Sequence, residues 1–197
     1  CGALVSNVND NDNTGVGFKT LLNSSGQSNT AIGSCALTTN TTASNNTAVG
    51  FCALKANTTG DGSTSIGLCS LAANTTGGAS SAVGFQSLVS NTTGHSHTAV
   101  GYRALCSNST GCYNVGLGKE SAKSNTTGCC NVAVGYQSLC TNTAGGTNTA
   151  IGTFSLKTNT ASNNTAVGAF SMRDNTTGSN NVAVGISALK ENTEGEN

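Results

Sequence analysis

Nine cysteines in 197 residues are the side chains best placed to do chemistry in this chain, and their spacing says more than their number. Cys35, Cys52 and Cys69 follow one another at intervals of 17 residues, as do Cys112 and Cys129. Equal intervals put these residues at one position of a repeating unit, in stacked neighbours. Adjacent parallel strands hold Cα atoms about 4.8 Å apart, inside the disulfide window of about 4.4–6.8 Å. The expected bridges are Cys112–Cys129 and one pair among Cys35, Cys52 and Cys69, in an oxidising compartment. Cys106 and Cys140 lie two units apart, too far to pair directly, and remain free, pair sideways or link chains. Zinc is not expected: the chain has no Cys-x-x-Cys, and His95 and His97 are read as lying outside the cysteine columns. The acids and histidines are scattered, with no Gly-x-Ser-x-Gly elbow and no phosphate loop. Neither an enzyme nor a cofactor or metal site is expected.

The asparagines offer a second chemistry. Asn40, Asn57, Asn74, Asn91, Asn108, Asn125 and Asn175 all read Asn-x-Ser/Thr, the acceptor pattern for N-glycosylation. The same residues, one per unit, are suited to an amide ladder in which each side chain bonds to those above and below. A glycan is about as wide as two coils at a spacing of about 4.8 Å, so full occupancy of one column would be crowded. The ladder is the favoured reading, with sparse glycosylation over it.

What positions these residues is a repeat. Glycine recurs at 17, 33, 50, 67, 84, 101, 118, 135, 152, 168 and 185, with eight gaps of 17 residues and two of 16. The consensus unit is Thr-Ala-Val-Gly-(Phe/Tyr)-x-(Ala/Ser)-Leu-x-x-Asn-Thr-Thr-Gly-x-x-Asn. A unit this short cannot bury an apolar face alone, so units must stack. Its β-branched phrase favours strand, and Asn-Thr-Thr-Gly is turn chemistry. The chain is therefore expected to be all-β: a parallel β-solenoid, or β-roll, of 11–12 coils, each with two short strands and two turns. The two short gaps place one-residue deletions in turns, near Asn23 and in 159–163.

Two apolar columns are expected to form the core: the Val, Ile or Leu before each glycine, and the Leu four residues after it. The small Ala, Gly or Ser two before the glycine suits a close approach between parallel rods. The glycine itself either needs a positive φ or allows a neighbouring backbone to come close. Phe18, Phe51, Phe85, Tyr102 and Tyr136 form a half-buried column, covering the solenoid or touching another chain. Thr47, Thr64 and Thr98 share a column with Val115, Val132 and Val182, which points it partly inward and argues against ice binding.

Composition agrees with a scaffold. Charged residues are 8% and aromatic residues 4% of the chain, the net charge is zero, and Pro and Trp are absent. No basic stripe suggests nucleic acid, and no apolar run of about 18 residues suggests a membrane span. Residues 1–197 read as one solenoid domain. Cys1-Gly2-Ala3-Leu4 enters in mid-coil, as expected of a fragment or of a chain processed from a longer one.

The phrase Asn-Thr-Ala-Val-Gly-(Tyr/Phe)-x-(Ser/Ala)-Leu, at 46–54, 97–105 (with His97 for Asn) and 148–156, resembles the head repeats of YadA-like trimeric autotransporter adhesins. It is also similar to repeats in fibre proteins of phages and large algal viruses. The resemblance implies a left-handed parallel β-roll, often trimeric, in a surface fibre that binds hosts or matrix. Here the unit is longer, cysteines are abundant, and no stalk or anchor is seen. The expected function is a structural subunit of an extracellular fibre or filament, secreted or displayed on a cell or virion surface. The alternative is an adhesin or receptor-binding fibre that recognises glycans, matrix or a host surface. Self-association is expected as a trimer or end to end, since both ends of the chain stop within the repeat.

Overall fold

The structure is a computed structural model that describes residues 2–4, 12–22 and 24–195. Cys1, Asn23 and the last two residues lie outside them. Eleven three-residue strands, from β1 (Thr14–Val16) to β11 (Val182–Val184), form one parallel sheet in sequence order. Pairing is in register throughout: Thr47 faces Thr64, Ala48 faces Ser65, and Val49 faces Ile66. The chain is thus a β-solenoid with a 17-residue repeat, and its ten rung steps give a sheet about 48 Å long.

Each coil holds one strand rather than the two expected. After the glycine the backbone enters the left-handed region twice, at Cys52 (φ 56°) and Leu54 (φ 49°) in one coil and at Gln86 (φ 52°) and Leu88 (φ 51°) two coils later. Strand geometry cannot survive two such residues, so this segment is turn. The leucines are nevertheless fully buried and fill the interior.

The second core column is not the one expected. A three-residue strand turns only its middle side chain inward. That residue is the alanine: Ala48, Ala82, Ala99, Ala133, Ala150 and Ala166 are completely buried. The β-branched residue beside it faces out, with Val16 57%, Ile66 40% and Val184 70% exposed. The threonine on the other side also faces out, half-buried or exposed. The interior dictates this choice. A β-carbon added at Gly116, in the alanine column, would meet Leu105 Cγ and Ser121 Oγ at 3.1 Å each. Alanine fits there only tightly, and valine has no room. The small residues therefore line the interior rather than a contact between rods.

The recurrent glycine needs both of its proposed properties. Gly84 has φ 132°, and a β-carbon on it would lie 2.5 Å from the carbonyl oxygen of Gly101 in the next coil. The deletions of the short coils fall at one place. Ser24 occupies the ladder position of its coil, and Asn40 Nδ2 donates to its Oγ at 3.0 Å. In the other short coil Asn159 donates to the carbonyl of Ala161, two residues on, where full-length coils use the carbonyl three residues on, as Asn40 does with Ala43 and Asn57 with Gly60. In both, the residue lost lies just after the ladder position.

Candidate functional site

Among the described residues the surface has no pocket, and no three His, Cys, Asp or Glu side chains converge as metal ligands would. The functional surface is instead a set of columns running along the rod, each built from one position of the repeat.

The sequon asparagines form an interior column. Asn74 Nδ2 donates to Asn57 Oδ1 (2.8 Å) and to the Gly77 carbonyl (2.8 Å). Asn91, Asn108 and Asn125 repeat the pattern at 2.8–3.1 Å. Both amide hydrogens are committed and the side chains are sealed from solvent. Asn40, Asn57, Asn74, Asn91, Asn108, Asn125 and Asn175 are at most 1% exposed. The expectation of glycosylation at these seven asparagines is corrected accordingly: in the folded chain none of their amide nitrogens reaches the surface, because each is a core hydrogen-bond donor.

A second buried polar column was not anticipated. Asn46, Asn114, Asn131, Asn148, Asn164 and Asn181 each send Nδ2 to a turn carbonyl of the next coil. The Oδ1 atoms of all but Asn181 accept the next backbone N–H, as from Asn131 to Asn114 at 3.0 Å. The signal was the Asn before each Thr-Ala-Val-Gly phrase. His97 takes this position in one coil. Its Nδ1 accepts the Asn114 N–H at 3.2 Å, which leaves the proton on Nε2, directed at the Gly111 carbonyl. Burial drives its pKa from 6.5 down to about 4, against the opposing effect of the hydrogen bond to the Gly111 carbonyl.

The eight described cysteines are free thiols. Neither Cys112–Cys129 nor any pair among Cys35, Cys52 and Cys69 is bridged, which corrects the disulfide expectation. The reason is the translation between coils. It displaces β-carbons by the same ~4.8 Å as α-carbons, whereas a disulfide needs them at about 3.5–4.5 Å. Instead, Cys129 Sγ accepts the Cys112 backbone N–H at 3.1 Å. His95 does share this column: the Tyr113 N–H bonds the His95 carbonyl just as the Cys130 N–H bonds that of Cys112. His95, Cys112 and Cys129 therefore sit on three successive rungs, with the imidazole beside Ser96 Oγ and the two thiols donating to the Thr110 and Thr127 carbonyls.

The aromatic column is exposed rather than half-buried. The Phe85 and Tyr102 rings stack at 5.3 Å with only 6° between their planes. Lys119 occupies the next rung, its ammonium 5.8 Å from the Tyr102 centroid and 5.6 Å from that of Tyr136. Tyr136 then meets Phe154 edge-on, and Phe154 meets Phe170, both one residue further from the glycine than the column itself. From Phe85 to Tyr136 ring faces are thus engaged by neighbours along the rod.

No family model, curated protein or solved structure matches this chain.

Proposed function

We propose that this protein is a structural subunit of an extracellular fibre, in which copies associate side by side through the outer face of the sheet. The observation that carries this reading is the outward turn of the β-branched column. From Thr14 to Val184 the two outward columns of the strands hold Thr, Ser, Val, Ile and Leu and no charged residue. A strip about 48 Å long and about 7 Å wide covers roughly 300 Å², and the adjoining aromatic column enlarges it. A patch of about 300–600 Å² is the largest that a typical soluble monomer exposes and is often functional; here it lies in one uninterrupted, uncharged face. A surface repeating every rung is matched best by another surface with the same repeat, which favours a second copy of the chain, as in the trimeric fibres that the repeat resembles. The adhesin alternative has less support, because glycan stacking needs free ring faces and those of Phe85 and Tyr102 are turned to one another, with Lys119 beside Tyr102 and Tyr136.

The test is sedimentation and negative-stain imaging of the purified chain beside a Val100→Lys/Val134→Lys variant. Side-by-side oligomers in the parent and monomeric rods in the variant, with unchanged circular dichroism, are expected. Monomeric parent rods at all concentrations would overturn the proposal.

A further inference from the structure

Cys35, Cys52 and Cys69 are related by translation alone. They share one backbone conformation, with φ of 60°, 56° and 55°. Backbone bonds tie their coils together, Cys52 N–H to the Ser34 carbonyl at 3.0 Å and Cys69 N–H to that of Phe51 at 2.9 Å. Sulfurs in like rotamers are then one rung apart, about 4.8 Å. A direct S–S bond of about 2.0 Å requires the coils to pinch together. Two sulfur–metal bonds of about 2.3 Å, laid end to end, span about 4.6 Å. The rung spacing that disfavours the disulfide suits a bridging ion.

We propose that the Cys35–Cys52–Cys69 column binds one soft cation of the Cu(I) or Ag(I) class, held in line between two successive thiolates. Thiolates select soft cations over hard ones. A two-coordinate ion needs no converging third ligand, and the column offers none. Cys52, 7% exposed and flanked on both sides, is the ligand common to either pair. The bent bonding of a thiolate sulfur keeps it from holding a second ion in line on its far side. Two thiols and one monovalent ion give a thiolate–metal–thiolate unit of net charge −1 and release two protons to solvent, with no electron transferred. The Lys55 ammonium, which acts electrostatically on Cys52, offsets the charge that remains. This inference is independent of side-by-side assembly.

The test is an anaerobic, chloride-free titration of the full, reduced chain with Ag(I), read by native mass spectrometry, proton release and X-ray absorption. Relative to the parent, Cys52→Ser and the Cys35→Ser/Cys69→Ser double variant should each bind one ion fewer, whereas Cys35→Ser or Cys69→Ser alone should keep the ion on the remaining pair. Cys106→Ser should leave the ion of this column in place. The absorption spectrum should show two sulfur neighbours at about 2.3 Å. The double variant, at half-buried positions, keeps the test decisive if Cys52→Ser misfolds. Equal silver content in the parent, Cys52→Ser and the double variant would overturn the proposal, as would three or four sulfurs per ion. So would quantitative closure of a Cys35–Cys52 disulfide by a mild oxidant with the fold unchanged.

Discussion

The backbone N–H of Asn114 donates to Nδ1 of His97 at 3.2 Å, at a rung position where Asn131 and Asn148 receive an asparagine oxygen at 3.0 Å. An imidazole can hold this place only while Nδ1 is unprotonated. The folded pKa, about 4, lies below the 6.5 of a free histidine, so between these values the unfolded chain binds the extra proton. Stability should be full above pH 6.5, fall as the pH drops toward 4, and level off below that. At 1.36 kcal/mol per pH unit the loss is roughly 3 kcal/mol. Denaturant titration from pH 7 to 4 checks this, and His97→Asn should abolish most of the slope.

Neighbours on one strand should respond in opposite ways to substitution. Ala99→Val adds volume where a β-carbon already fits tightly, and should cost about 1–3 kcal/mol. Val100→Thr alters an outward side chain and should change the stability of a single rod by less than about 0.5 kcal/mol. Thermal unfolding of dilute protein compares them, and a larger loss at Val100 would contradict the assignment of inside and outside.

Left-handed backbone can be relieved where the side chain is free. Ala79 has φ 54° and is exposed, while Asn45, Asn163 and Asn180 hold the same position of other coils at 60–62°. Asparagine tolerates this region better than alanine. Ala79→Asn should raise stability by about 0.5–1 kcal/mol, read from the urea midpoint. Gly84→Ala should do the reverse and cost more than about 2 kcal/mol, since it meets both a positive φ and the Gly101 carbonyl.

The buried ladder should forbid the modification that its sequence invites. Chain secreted from a glycosylating host should carry no N-glycan at Asn74, Asn91 or Asn108 once folded, as glycopeptide mapping would show, separating these sites from the exposed Asn45 and Asn163, which also read Asn-x-Thr. Asn91→Ala removes the partner of Asn74 Oδ1, of the Gly94 carbonyl and of Asn108 Nδ2. At about 1–3 kcal/mol for each group left unpaired, the variant should lose several kcal/mol.

The solenoid was legible because glycine and leucine keep their phase over the whole chain, and any fold must respect a period so strict. Which side of the strand faces in was not. Val100 is the more apolar residue and Ala99 the less, so hydrophobicity alone puts Val100 inside. The tie is broken by room: Leu105 already fills the interior opposite, and only a methyl group fits beside it. The left-handed leucines were also hidden, because nothing in the residue type announces φ near 50° at Leu88. His95 looked unrelated to the cysteines until alignment by rung placed it one step from Cys112. The amide ladder was readable from Asn-Thr-Thr-Gly, but the parallel Asn column before each strand was not weighed.

The short coil at 152–168 gives the rod a weak joint. Asn159 turns its amide to Ala161, and Asn142 Oδ1, in the coil before, is buried with no hydrogen-bond partner. On either side the ladder is continuous, from Asn57 to Asn142 and again from Asn159 to Asn175. In a stack whose stability is a sum of neighbour contacts, the missing bond marks where a pulled or heated rod should part first, with the last coils peeling away as one block while the longer segment stays wound.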